Sequence, residues 1–295
     1  MSERVVTFGE GRELTGILAQ PDDGATAGAK PACLLLNAGF LHRTGFNRFN
    51  TDFARMIAEK GHASLRFDLH GLGDSAKYNG KKHYDEQALL DMQEAIDFLL
   101  ESTAAATCII VGLCSGADYA HPAALRDKRV AGIVFLDGYA YRTLGFYVRD
   151  YGPGIVNPAR ALRFIGKRFK SLVGTKAKTE AHEFSLAEHA EVYVREFPKK
   201  KKTMREVQQL IDRGVELYYI YSGGVPIYYN YAGQFRHMFR LVRFKNRVCV
   251  RYVKEADHIY TLRSVRNKLM TLVSEWMEER FGDTPPEVSE SFSVV

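Results

Sequence analysis

The sequence predicts an α/β fold: a mostly parallel central sheet with helices on both faces, and one inserted stretch that is helix-like in pieces. Three observations carry this. Short apolar, β-branched runs alternate with longer stretches in which apolar residues recur at helical spacing, five times after an opening hairpin. One strand–helix joint, at 107–121, contains the sharp turn Gly112-Leu113-Cys114-Ser115-Gly116. The alternation then breaks for some seventy residues after Asp137 before it resumes.

The elements follow in order. Residues 3–8 and 12–19 alternate in polarity around Gly9-Glu10-Gly11 and read as a hairpin. Residues 21–31 are loop. Ala32–Leu36 is a buried strand ending in Asn37-Ala38-Gly39-Phe40-Leu41-His42. Phe49–Lys60 is a helix with Phe53, Met56 and Ile57 on its apolar face, closed by Gly61. Ala63–Phe67 is a strand running into Asp68-Leu69-His70-Gly71-Leu72-Gly73-Asp74-Ser75, and Tyr84–Leu100 is a long helix. Cys108–Val111 is the strand before the sharp turn and Ala117–Leu125 the helix after it. Val130–Leu136 is the next strand, ending at Asp137-Gly138-Tyr139. After the break, Val215–Tyr221 is a strand followed by Ser222-Gly223-Gly224. Arg247–Val253 is the last strand and leads to Glu255-Ala256-Asp257-His258. Val265–Phe281 is the closing helix. These readings give a core over 1–138 and 213–282, an inserted segment over 139–212 and a flexible tail over 283–295.

Composition narrows the class. The 295 residues carry a net charge of +6. Residues 138–214 hold sixteen Lys and Arg against eight Asp and Glu, so this segment alone is eight charges positive and the remainder two negative. There is no charged-then-apolar leader and no apolar run long enough to span a bilayer, so a cytoplasmic protein with no membrane contact is expected. The four cysteines, Cys33, Cys108, Cys114 and Cys249, form no Cys-x-x-Cys pair, so neither a disulfide framework nor a metal site is expected. Gly71-Leu72-Gly73 with Ala76 fits a dinucleotide fingerprint. That reading requires a helix to follow at once, and Lys77–Lys82 reads as loop, so no cofactor is expected.

The sharp turn holds the chemistry. The spacing Gly-x-Cys-x-Gly puts Cys114 at the apex. The flanking glycines are needed because the turn brings backbone too close for a Cβ. The thiol then stands at a helix N-terminus, whose dipole favours a thiolate. Two other readings stand beside it. A cysteine in such a joint can be a small core residue. Ser115 as nucleophile would shift the frame and put Leu113 where a small residue belongs.

The stretch resembles the nucleophile elbow of the α/β-hydrolase superfamily, with cysteine in place of serine as in dienelactone-hydrolase-like members. The run Arg66-Phe67-Asp68 through Gly71-Leu72-Gly73-Asp74-Ser75 is similar to the superfamily's turn after the corresponding strand. The resemblance covers nearly the whole chain, with 139–212 where members insert a cap. It implies that the loop after the Ala32–Leu36 strand supplies an oxyanion-hole amide. Ala38-Gly39 stands where a His-Gly pair is usual, which makes Phe40 the donor beside the Ser115 amide. It implies His258, after the last strand, as the base. The acid usually follows the penultimate strand, but Ser222-Gly223-Gly224-Val225-Pro226-Ile227 has no carboxylate. Asp137, one strand inward, is therefore chosen over Asp257 and Glu255, which are too near His258 in sequence. Gly39, Leu41 and His42 in the oxyanion loop and Tyr139 and Tyr141 at the start of the cap are expected to contact substrate. His70 shares the loop edge, and His121 on the helix after the elbow is expected to pack or face solvent.

The expected function is acyl transfer through a Cys–His(–Asp) centre, cleaving an ester or thioester by way of a cysteine-bound acyl group that passes to water, an amine or an alcohol. The alternative is a catalytically inactive hydrolase-fold protein that binds a small molecule or acyl carrier. A cap that interleaves Phe146, Tyr147, Phe164, Phe169 and Phe184 with Arg and Lys suits a small-molecule acyl substrate with an acidic handle, such as a coenzyme A or acyl carrier protein thioester. No nucleic-acid motif is present. The motifs resemble those of bacterial biosynthetic-cluster hydrolases, which implies a place in specialised or surface-polysaccharide metabolism.

Overall fold

A computed structural model describes residues 1–22, 30–103, 105–155 and 197–282. Eight strands form one sheet: β1 (Ser2–Phe8), β2 (Leu14–Gln20), β3 (Ala32–Leu35), β4 (Ser64–Phe67), β5 (Cys108–Leu113), β6 (Val130–Leu136), β7 (Glu216–Ser222) and β8 (Val248–Val253). Their spatial order is β1-β2-β4-β3-β5-β6-β7-β8. β1 and β2 form the antiparallel hairpin, β2 lies antiparallel to β4, and every pairing from β4 to β8 is parallel.

Parallel neighbours need crossovers, and the helices supply them. They are α1 (Phe49–Glu59), α2 (Tyr84–Thr103), α3 (Ser115–Arg126), α4 (Leu144–Ile155), α5 (Lys200–Asp212), α6 (Gln234–Met238) and α7 (Arg263–Phe281). β5 shows why both faces are covered. All six of its residues are buried, and alternate ones join opposite cores. Cys108 and Ile110 pack in one cluster with Leu99 of α2, Ala120 of α3 and Phe235 of α6. Ile109 and Val111 pack in the other with Phe53 of α1 and Val273 and Trp276 of α7. A continuous apolar run in the sequence is thus a strand between two helical layers.

The region expected as a cap is described only at its ends. Residues 156–196 lie outside the described residues, and with them Phe164, Phe169 and Phe184; so does the tail 283–295. At the near end, α5 buries Val207, Leu210 and Ile211 in the cluster on the α2–α3 face. It is the crossover between β6 and β7, placed by ordinary amphipathic spacing. Among the described residues no helix is long and apolar enough to cross a membrane.

Phe135 of β6 is fully buried and stacks on Tyr219 of β7 with ring centroids 4.4 Å apart. Phe135→Ala is expected to cost about 3–5 kcal/mol of folding stability, read as a lowered midpoint in chemical denaturation.

Candidate active site

The C-terminal ends of the parallel strands gather the candidate residues. Cys114 lies between β5 and α3 at φ 56, ψ −117, a region that non-glycine residues rarely occupy. Two clearances make the turn possible. A Cβ on Gly112 would stand 2.4 Å from the Gly116 carbonyl carbon, and one on Gly116 would stand 2.4 Å from the Asn37 carbonyl oxygen. The Cys114 amide donates to the Leu136 carbonyl at 2.9 Å, tying the apex to the end of β6. The thiol is only partly buried, as is that of Cys249, while Cys33 and Cys108 are buried. Burial pushes the Cys108 thiol up to about 12 and raises Cys33 further, and Cys249 is raised for the same reason.

His258, in the loop after β8, places Nδ1 2.9 Å from Asp137 Oδ2. Asp137 is fully buried at the end of β6 and sits at φ 45. Ser222 fixes it at both oxygens. Its amide donates to Oδ1 at 2.6 Å and its hydroxyl to Oδ2 at 2.6 Å. Burial works against a charged imidazole, but hydrogen bonds to Asp137 and to the Cys114 thiol, with the charges of both, outweigh it and raise His258 to about 9. The other acids are occupied elsewhere: Asp257 accepts the Thr261 amide at 2.9 Å and Glu255 accepts Lys268 at 2.6 Å.

Two positions in the loop after β7 have no room for a side chain. A Cβ on Gly224 would lie 2.1 Å from the His258 amide nitrogen, and one on Gly223 would lie 2.0 Å from the Lys254 carbonyl oxygen. The His258 loop packs directly on these glycines. In the sequence they look like a gap in the pattern, whereas paired glycines signal a close backbone approach.

The loop after β3 turns at Ala38–Leu41, where the Leu41 amide donates to the Ala38 carbonyl at 3.0 Å. Gly39 has φ +56 there, with open space where a Cβ would be. Its amide donates to Ser115 Oγ at 2.7 Å. The hydroxyl of buried Ser115 therefore ties the elbow to this loop. The Gly39 and Leu41 amides are both used, while the Phe40 amide and the Ser115 amide, first in α3, have no hydrogen-bond partner among the described residues. The Phe40 side chain is 79% exposed and that of Leu41 is also exposed. Ile227 after β7 and Ile259 after β8 are exposed as well, two apolar positions that sequence reading did not single out.

Other expectations are corrected. Tyr139 does not face a substrate: it is buried, and its hydroxyl is bonded to His121 Nδ1 at 3.0 Å and to the Tyr219 hydroxyl at 2.9 Å. Tyr141 bonds the Pro198 carbonyl and the Thr203 hydroxyl, each at 2.7 Å, and so anchors the start of α5. Tyr139 belongs to the core cluster on the α2–α3 face, and Tyr141 packs partly buried against it. His70 is buried between Asp91 and Glu13, whereas His121 packs, one of the two outcomes expected of it, between Tyr139 and Glu206. His42 stays near the loop edge, partly exposed, with Nε2 3.7 Å from Asp68 and 3.8 Å from Asp74. These three groups lie close enough to hold a metal ion, but the Arg43 guanidinium already bridges both carboxylates.

No family model matches the chain, and none of the curated proteins does. Solved structures do. Esterase Pf2001 of Pyrococcus furiosus has a TM-score of 0.57 at 15% identity, over 95% of this chain and 93% of that one. The esterase domain of a Rhodothermus marinus protein has a TM-score of 0.54 at 15% identity, over 95% and 99%. Est1E of Butyrivibrio proteoclasticus, solved with ferulic acid bound, has a TM-score of 0.56 at 14% identity, over 90% and 95%. The chain has the α/β-hydrolase fold.

With its pKa raised to about 9, His258 is expected to stay an imidazolium at neutral pH and to lose its proton only as the pH rises through that value. Asp137→Asn removes the partner charge, so the His258 midpoint should fall toward the ordinary histidine value. Histidine NMR titration of both proteins measures the shift.

Proposed function

We propose that this protein is an acyl-transfer enzyme of the esterase or thioesterase type, with Cys114 as nucleophile, His258 as general acid and base, and Asp137 as the group that orients and charges His258. The observation that carries this reading is the continuous chain Asp137–His258–Cys114, ending in a partly exposed thiol on a positive-φ turn. A carboxylate on Nδ1 leaves the other ring nitrogen for the thiol and the leaving group, the division of roles such a triad requires.

The steps use the chain's own residues. Imidazolium beside the thiol favours the Cys114 thiolate. Sγ attacks the acyl carbonyl carbon, and the Phe40 and Ser115 amides receive the developing oxyanion. As the C–O or C–S bond to the leaving group breaks, His258 gives that group its proton and an acyl thioester on Cys114 remains. Water, an alcohol or an amine then loses a proton to His258 and attacks the thioester, and Cys114 departs as thiolate. The exposed side chains of Phe40, Ile227 and Ile259 support an apolar acyl group at the mouth of the site.

Brief exposure to a short-chain acyl ester or acyl thioester, followed by intact-mass spectrometry, tests this. Wild type and Ser115→Ala should gain one acyl group, Cys114→Ala none, and His258→Ala should acylate slower by about a hundredfold or more. An adduct that survives Cys114→Ala but disappears in Ser115→Ala would place the nucleophile one residue on. No adduct with donors of several sizes would favour a protein that binds acyl groups without transferring them.

A further inference from the structure

One flank of the molecule carries a groove that the catalytic residues do not use. It is a cavity of about 1100 Å³ between α5 and the segment following α6. Lys200, Lys201 and Arg205 line the α5 wall, Arg240 lines the other, and Met204 and Leu241 add apolar surface. Leu241 is 75% exposed. The single acid in the lining, Asp212, is already bonded to Lys245 at 2.6 Å. A further cation, Arg213, is taken up by the carbonyls of Ala124 and Asp127. The other four cations have no ion-pair partner among the described residues.

The direction of the groove matters. α5 is 13 residues long, so its wall runs for roughly 20 Å. Its N-terminal end is held through Thr203 to Tyr141, four residues beyond Asp137. The lysine end therefore lies toward the catalytic edge of the sheet, and the Asp212 end near the start of β7, at the opposite edge. Lys201 and Arg205 are one helical turn apart on the same face.

We propose that this groove docks an acidic amphipathic helix of an acyl carrier protein that delivers the thioester to Cys114, a proposal that rests on the acyl-transfer reading and names its partner. Three features point to a helix. The wall is about the length of three to four helical turns. Cations flank an apolar strip, the complement of a helix with acidic edges and an apolar face. The charge is unbalanced and solvent-facing, which favours steering of an acidic partner. A small anion would call for a buried cation at the centre, and Lys201, Arg205 and Arg240 are exposed. A nucleic acid would use the cations but gain little from Met204 and Leu241.

The test compares one acyl group, octanoyl, on holo-acyl carrier protein, on coenzyme A and on N-acetylcysteamine. Carrier binding is measured separately by fluorescence anisotropy. In the full chain bearing Arg205→Glu and Arg240→Glu, carrier affinity and kcat/KM for the carrier-bound substrate should each fall on the order of tenfold at low salt. Turnover of octanoyl-N-acetylcysteamine should be unchanged. A carrier whose acidic helix residues are neutralised should lose the same factor against wild type and nothing more against the variant. Equal carrier binding by wild type and variant would overturn the proposal. So would an equal loss with octanoyl-coenzyme A, which would assign the groove to the nucleotide, or tighter binding of a short RNA duplex than of the carrier. Because anisotropy reads docking without turnover, failure of Cys114 to acylate and failure of the groove to bind carrier are separate results.

Discussion

The turn at Cys114 constrains the rest of the site. Its φ of 56 and ψ of −117 hold the thiol above the sheet edge, a conformation that costs of order 1–3 kcal/mol. The surrounding chain offsets that cost. β5 is buried on both sides, α3 begins directly after the turn, and the Cys114 amide is bonded to the end of β6. The bends on either side close only because Gly112 and Gly116 present hydrogen where any other residue would present a methyl. The loop after β3 is then registered to this turn by the bond between the Gly39 amide and Ser115 Oγ.

The second set of clearances sets the reach of His258. With Gly223 and Gly224 at the end of β7, the His258 loop comes down onto the backbone, where a carboxylate side chain would have no room. The imidazole then reaches inward to Asp137 on the neighbouring strand. Ser222, which ends β7, supplies the two hydrogen bonds that fix the carboxylate. β7 thus contributes the donors that fix the carboxylate, and β6 ends in the carboxylate itself. A buried carboxylate with these two donors and an imidazolium is fully partnered, as its complete burial requires.

Much of this was legible in the sequence because it depends on local patterns. β5 and β6 are apolar runs with no competing helical period, and their ends fall where the turn residues stand. Cys114, His258 and Asp137 could be placed because each follows a strand, and strand ends share one sheet edge. What could not be read depends on partners distant in sequence. Tyr139 looks like a lid aromatic in the sequence, but it is held in the core by His121 on a helix and Tyr219 on another strand. His70 looked like a loop histidine until Asp91, on the next helix, is seen to bind it. α5 falls within the expected cap, yet Val207, Leu210 and Ile211 have the spacing of a core-facing helix. The clearances at Gly223 and Gly224 were visible as residues but not as contacts, since the atoms they admit belong to a strand connection thirty residues later.

The central claim is that His258, charged by Asp137, keeps Cys114 as a thiolate ready for attack. The rate of alkylation of Cys114 against pH, resolved by peptide mass spectrometry from the three other cysteines, tests it most directly. The account predicts an inflection below the ordinary thiol value of about 8.5 in wild type, and a return to that value in His258→Ala. The same inflection in both proteins would show that the thiol and the imidazole do not act as a pair, and would contradict the account.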